Sequence, residues 1–200
     1  MELNRVFSQK CTYMHISLLS LMKIECRFGF AKAFVNIGPW LYNHRQAITI
    51  PIVKSFFTEL RKLNPDTKIG VAGFCWGGRY AILLGQSHFN EEKLVDSVFA
   101  GHPSFVSIPA DVQNPVVPVS IAVASTDTVY SPAMAEKTET LWAHDDVENE
   151  IVIYEGAKHG FCVRGNMKDE KEKEDMIKSC EQVCFRVNGP EGLTLGDELV

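Results

Sequence analysis

Residues 68–85 read KIGVAGFCWGGRYAILLG, and their reading decides the fold. Lys68 to Gly73 is a short apolar run of strand length, and Gly77 to Gly85 carries the apolar content of a buried helix with a closely packed first turn. The chain therefore passes from strand to helix across Gly73-Phe74-Cys75-Trp76-Gly77. That is a Gly-x-nucleophile-x-Gly elbow with cysteine in the nucleophile position. Such a turn lifts one side chain above a sheet and aims it at a helix N-terminus, where the dipole favours a thiolate or a developing oxyanion. The N–H of Trp76, the residue after the nucleophile, is the expected oxyanion donor. Alone, the motif is equally well read as a tight turn holding an inert cysteine, so its surroundings carry the argument.

Upstream, Ile52, Val53, Phe56, Phe57, Leu60 and Leu63 recur at helical spacing, with Pro51 suited to the first helical position. Asn64-Pro65-Asp66 then turns the chain. Downstream, a strand is expected over Val95–Ala100, then a loop punctuated by Pro103, Pro109 and Pro115. Val117–Ala124 (VPVSIAVA) is the strongest strand in the chain. A helix opens at Pro132 and runs to about Ala143, Glu150–Tyr154 is a further strand, and a charged helix spans roughly Lys168 to Val187. Strands alternating with helices predict an α/β fold, an open and mostly parallel sheet with helices on both faces. Ligands of such folds bind beyond the carboxyl ends of the strands, so function belongs there.

The second strand end delivers Asp127, in Ala124-Ser125-Thr126-Asp127. A turn or a helix cap is the commoner fate of such an aspartate. The third delivers His159, in Gly156-Ala157-Lys158-His159-Gly160-Phe161, which by itself reads as a surface-loop histidine. What joins them is chain order. Nucleophile, acid and histidine follow one another as the α/β-hydrolase fold requires, each just after a strand. Cys75 would attack an ester or lactone carbonyl, His159 would move the proton, and Asp127 would orient the imidazole. The scheme uses no metal and no organic cofactor.

Composition is consistent with this and narrows the classes. The 200 residues are 46% hydrophobic and 22% charged, enough for one domain with a real core. The net charge of −5 and the lack of a basic run argue against nucleic acid as a partner. The Leu18–Met22 patch is far short of the ~20 apolar residues that span a membrane, and no signal-peptide cleavage pattern follows it. Six scattered cysteines suit a reduced, cytoplasmic setting better than a disulfide framework. Cys180 and Cys184 read as two small residues on one helical face, and the KDEKEKED run at 168–175 as a solvated face.

These residues resemble the dienelactone hydrolases (carboxymethylenebutenolidases) of the α/β-hydrolase superfamily. The resemblance runs from about Trp40 to about Arg164. It rests on Trp40-Leu41-x-Asn43-His44, the elbow GFCWGGRYA, Ala100-Gly101-His102-Pro103-Ser104-Phe105-Val106, the acid loop AVASTDTVYSP and GAKHGFCVRG. It implies an α/β-hydrolase fold, a small carboxylic ester or lactone as substrate, and a triad of Cys75, His159 and Asp127. His102 and Arg164 match the same pattern and would line the substrate pocket; for His102 a hydrogen-bonded loop residue is the favoured reading. The whole chain, 1–200, is taken as one such domain, with a divergent segment at 1–38 and a divergent tail at 188–200. Those divergent ends keep an alternative open, an inactive or incomplete member of the same fold that serves as a binding protein. Oligomeric state is not legible.

Overall fold

The computed structural model describes residues 37–188, with side chains to residue 183. The segments set apart in the sequence, 1–38 and 188–200, lie almost wholly outside the described residues. Two compact units divide the chain, Met1–Thr49 and Ile50–Val200. In the first, residues 37–43 are helical, and the Trp40 and His44 rings stack with centroids 4.6 Å apart.

Helix α1 (Gln46–Leu63) begins five residues before Pro51, which the sequence reading put at its first position. The Arg45 carbonyl accepts the N–H groups of Ile48 and Thr49, and the Thr49 hydroxyl donates to the His44 carbonyl, so the first turn is supplied without help from the proline. Pro51 sits inside the helix, where its missing N–H leaves one ladder bond unmade. Of the apolar residues at helical spacing, Val53, Phe57 and Leu60 pack on the main core, whereas Ile52, Phe56 and Leu63 face outward.

Four strands follow: β1 (Gly70–Phe74), β2 (Ser97–Gly101), β3 (Val119–Ala124) and β4 (Glu150–Tyr154). They lie side by side in chain order and every pairing is parallel. All carboxyl ends therefore open on one edge of the sheet. β2 and β3 are buried throughout, while β1 and β4 are only partly covered. Period-2 alternation divides their side chains between two cores. Val98, Ala100, Val119, Ile121 and Val123 join one, under α1, α2 (Trp76–Leu84) and α3 (Pro132–Trp142). Phe99, Ala122 and Ala124 join the other, with Phe161 and Cys162 of the short helix α4 (Phe161–Arg164) and Val183 of α5 (Glu170–Asn188). Helices thus cover both faces, as the alternation of elements predicts. Ser120, the one polar residue of β3, is not an exception to burial. It accepts a hydrogen bond from Gln182 of α5 (2.7 Å), whose amide oxygen takes the Tyr154 hydroxyl (2.8 Å), so the polar groups satisfy one another.

Cys180 is exposed, off the apolar face assigned to it, and the side chain of Cys184 lies outside the described residues. The charged run at 168–175 faces solvent except for Asp175, buried and paired with Lys171. No described helix is long and apolar enough to cross a membrane.

The two glycines of the elbow do different things. A Cβ on Gly73 would lie 2.3 Å from the Gly77 carbonyl oxygen and 2.9 Å from the Ala81 methyl, so β1 and α2 can meet this closely only there. A Cβ on Gly77 would meet nothing within 4 Å. Crowding therefore demands glycine at position 73 only. Gly73→Ala is expected to cost about 1–3 kcal/mol and to lower Tm by roughly 4–10 °C in a chain of this size. Gly77→Ala should leave Tm unchanged or raise it by about 2 °C, since alanine is the better helix former. Thermal melts followed by circular dichroism would separate the two, and equal losses would contradict this account.

Candidate active site

Cys75 stands between β1 and α2 with φ 50° and ψ −121°, a left-handed backbone that costs a residue with a Cβ on the order of 1–3 kcal/mol. Three hydrogen bonds hold it there. Its N–H donates to the Gly101 carbonyl (3.1 Å), and its own carbonyl accepts the N–H groups of Gly78 (3.0 Å) and Ser104 (2.9 Å). The loop after β2 thus grips the elbow from the side. Trp76 opens α2, its indole packed against Tyr80 at 4.6 Å, and its N–H lies at the positive end of that helix.

The loops after β3 and β4 are sewn to each other. Ser125 N–H donates to the Tyr154 carbonyl, Thr126 donates to the Ala157 carbonyl through both its N–H (3.2 Å) and its hydroxyl (2.7 Å), and Gly156 N–H donates to the Ser125 hydroxyl. This places Asp127 beside His159. The Asp127 side chain is wholly enclosed. One carboxylate oxygen contacts His159 Nδ1 at 2.7 Å, and the other accepts the Val129 N–H at 2.8 Å. The other face of the imidazole, Nε2, looks toward the Ser104 hydroxyl at 3.5 Å. Because Asp127 fills Nδ1, Nε2 is the nitrogen left for a reacting partner.

Cys75, His102 and His159 each present a donor atom, and these atoms lie within 4.8 Å of one another. That is close enough to share a metal ion, although the roles assigned below need none. His102 is a loop residue whose ring bonds not to the loop but to the sulfur, with Nδ1 3.3 Å from Sγ. Its ring crosses that of His159 at 67°, with centroids 5.0 Å apart. Arg164 reaches the same sulfur from α4, Nη2 lying 3.8 Å from Sγ. Its guanidinium lies against Gly160, where φ is +97°, so the backbone calls for glycine; a Cβ there would sit 2.6 Å from Nη2, the movable end of the arginine.

These neighbours set the ionisation of the sulfur. Burial pushes the thiol up, but the contacts with His102 and then His159 outweigh it and bring Cys75 down to about 6. His159 is raised above its ordinary value, chiefly by the contact with Cys75; burial opposes this and the Asp127 contact adds to it. Thiolate and imidazolium are each favoured by the other. The structure brings together Cys75, Trp76, His102, Asp127, His159 and Arg164, all named from the sequence, at one edge of one sheet. It adds Ser104, which the sequence reading passed over although it stands two residues from His102 in a quoted segment.

The family model for the dienelactone hydrolases matches residues 43–184. The chain belongs to the dienelactone hydrolase family. Hydrolase pyvD of Aspergillus violaceofuscus is 29% identical over 138 residues, 69% of this chain and 54% of that protein. Hydrolase tropI of Talaromyces stipitatus is 30% identical over 125 residues, 62% of this chain and 47% of that protein. The chain of this family member spans about half the length of the curated relatives it matches. A thermophilic esterase from Thermogutta terrifontis, at 14% identity, superposes with a TM-score of 0.56 over 72% of this chain and 67% of that one. At that identity the likeness establishes the shared α/β-hydrolase fold and nothing finer.

Proposed function

We propose that this protein hydrolyses small carboxylic esters or lactones, with Cys75 as nucleophile, His159 as acid and base, and Asp127 as the group that orients His159. The observation that carries the reading is the continuous contact from Asp127 through His159 to the cluster around the Cys75 sulfur. Around neutral pH the Cys75 thiolate is formed, and its contact with His159 favours the imidazolium beside it. The thiolate attacks the carbonyl carbon, and the Trp76 N–H receives the charge that develops on the carbonyl oxygen. The C–O bond breaks, the departing oxygen takes the proton of His159, and a thioester remains on Cys75. Neutral His159 then removes a proton from water, whose oxygen attacks the thioester. The S–C bond breaks, the acid departs, and the thiolate is restored. Arg164, beside the sulfur and open to solvent, suits substrates that bring a carboxylate or other negative charge close to the scissile bond.

Steady-state hydrolysis of p-nitrophenyl acetate and of a small enol lactone tests the reading. A depressed thiol pKa means that the active thiolate exists above it and is lost as pH falls through it. The value of kcat/KM should therefore rise through a limb near pH 6 and, for the lactone, fall again on the alkaline side as His159 loses the proton it gives to the departing oxygen. A limb near the ordinary cysteine value would contradict the ion pair. Folded protein with no turnover on either substrate would favour the other reading, a family member that binds its ligand and does not cleave it.

A further inference from the structure

The proposed chemistry uses one histidine, yet two touch the sulfur. His102 has 0% exposure, and its Nδ1 lies 3.3 Å from Cys75 Sγ. Its other ring nitrogen, Nε2, is buried with no hydrogen-bond partner among the described residues. Phe74 and Phe161 flank the ring, with centroids 6.0 and 5.8 Å away. These facts restrict its protonation. An imidazolium there would be an enclosed charge with a stranded N–H, the costliest arrangement. A neutral ring protonated on Nε2 would still strand a buried donor, which is rarer than a stranded acceptor. A neutral ring protonated on Nδ1 strands only a lone pair and aims its N–H at the sulfur.

We propose that His102 is a positioning residue that donates its Nδ1 hydrogen to the Cys75 sulfur and keeps it a thiolate, while His159 alone carries the proton. The inference rests on the reading of Cys75 as nucleophile. The division of labour follows from surroundings. His159 has Asp127 behind it to stabilise a positive ring, and its side chain is partly open to solvent. His102 has neither. A donor to a thiolate is charge-assisted and holds both the ionisation and the direction of the sulfur. The other ionisable groups near the sulfur are His159 after β4, with Asp127 behind it, Arg164 on α4 and the buried Cys162. Of these, Arg164 also favours the thiolate, whereas Cys162, its thiol pushed up to about 12 chiefly by burial, stays neutral and leaves the Cys75 ionisation to the others. Backbone conformation supplies a further restriction. His102 has φ 36°, a region open to glycine and, among residues with a Cβ, to asparagine and histidine more than most.

The test uses the full chain without substrate. Iodoacetamide alkylation of Cys75 is followed against pH by mass spectrometry of its peptide, for wild type, His102→Asn, His102→Ala and His102→Gly. Asparagine tolerates the backbone and offers an amide N–H where Nδ1 stands, so its profile should stay within about two-fold of wild type at every pH. Alanine and glycine remove the donor, and glycine does so without backbone strain. At pH 6 both should alkylate at least about five-fold more slowly, with the profile displaced upward by about one pH unit. A folded alanine or glycine variant whose profile superimposes on wild type overturns the proposal, as does an asparagine profile displaced as far as that of alanine. Because sulfur ionisation is read without turnover, an absent esterase activity would count against the function and leave this result intact.

Discussion

Cys75→Ala is expected to lower kcat/KM for p-nitrophenyl acetate by at least about 10³-fold, because the mechanism then has no atom to hold the acyl group. The fold should survive. Cys75 is only half-buried, and its backbone, not its sulfur, is what the Gly101, Gly78 and Ser104 hydrogen bonds secure. Alanine accepts the same positive φ at similar cost, so the melt should be close to that of wild type. Iodoacetamide offers the matching chemical experiment. It should titrate activity away with one equivalent of label on Cys75, even though the Cys180 side chain is the more exposed of the two. Unchanged turnover in Cys75→Ala would remove the nucleophile and with it the function proposed here.

Asp127→Asn is expected to lower kcat by about 10³–10⁴-fold with little loss of stability. The change is isosteric. The Val129 N–H keeps its acceptor, and an amide is easier to bury than a carboxylate. What is lost is the group that fixes a proton on His159 Nδ1 at 2.7 Å. An amide N–H turned toward the ring reverses that bond. The lone pair then sits on Nδ1 and the proton on Nε2, and His159 can no longer accept a proton from water. It also loses the negative charge that stabilises its cationic form. Steady-state kinetics beside a thermal melt would check this. A kcat within ten-fold of wild type would reduce Asp127 to a turn residue that caps Val129.

Much of this was legible in the sequence because the fold repeats one simple operation. An apolar strand ends, and the next residue with chemistry stands on the loop that follows. Ala124-Ser125-Thr126-Asp127 and Gly156-Ala157-Lys158-His159 expose that pattern plainly, and the strands expected at 117–124 and 150–154, the first of which begins at Val119, needed little more than local apolarity. Three things were harder. The start of α1 was misplaced because proline at a first turn is the stronger general rule, while the turn here is supplied by the Arg45 carbonyl. Helix α4 is four residues long and begins after a left-handed Gly160, too short for any periodicity to appear. The third is the contact of His102. It depends on β1 and β2 being adjacent, on the register that sets Phe74 opposite Gly101, and on a positive φ at residue 102. None of these is a property of the local sequence.

The stitches between Ser125–Thr126 and Tyr154–Ala157 carry a consequence for the timing of the chemistry. Two tethered ribbons that had to find each other at every cycle would add an ordering step before each bond was made. Here that alignment is completed when the chain folds, since the same main-chain links that close the sheet's rim also bring acid and imidazole together. Heating should accordingly abolish catalysis and tertiary structure at one temperature, with no earlier stage in which a folded scaffold has lost only its reactive pair.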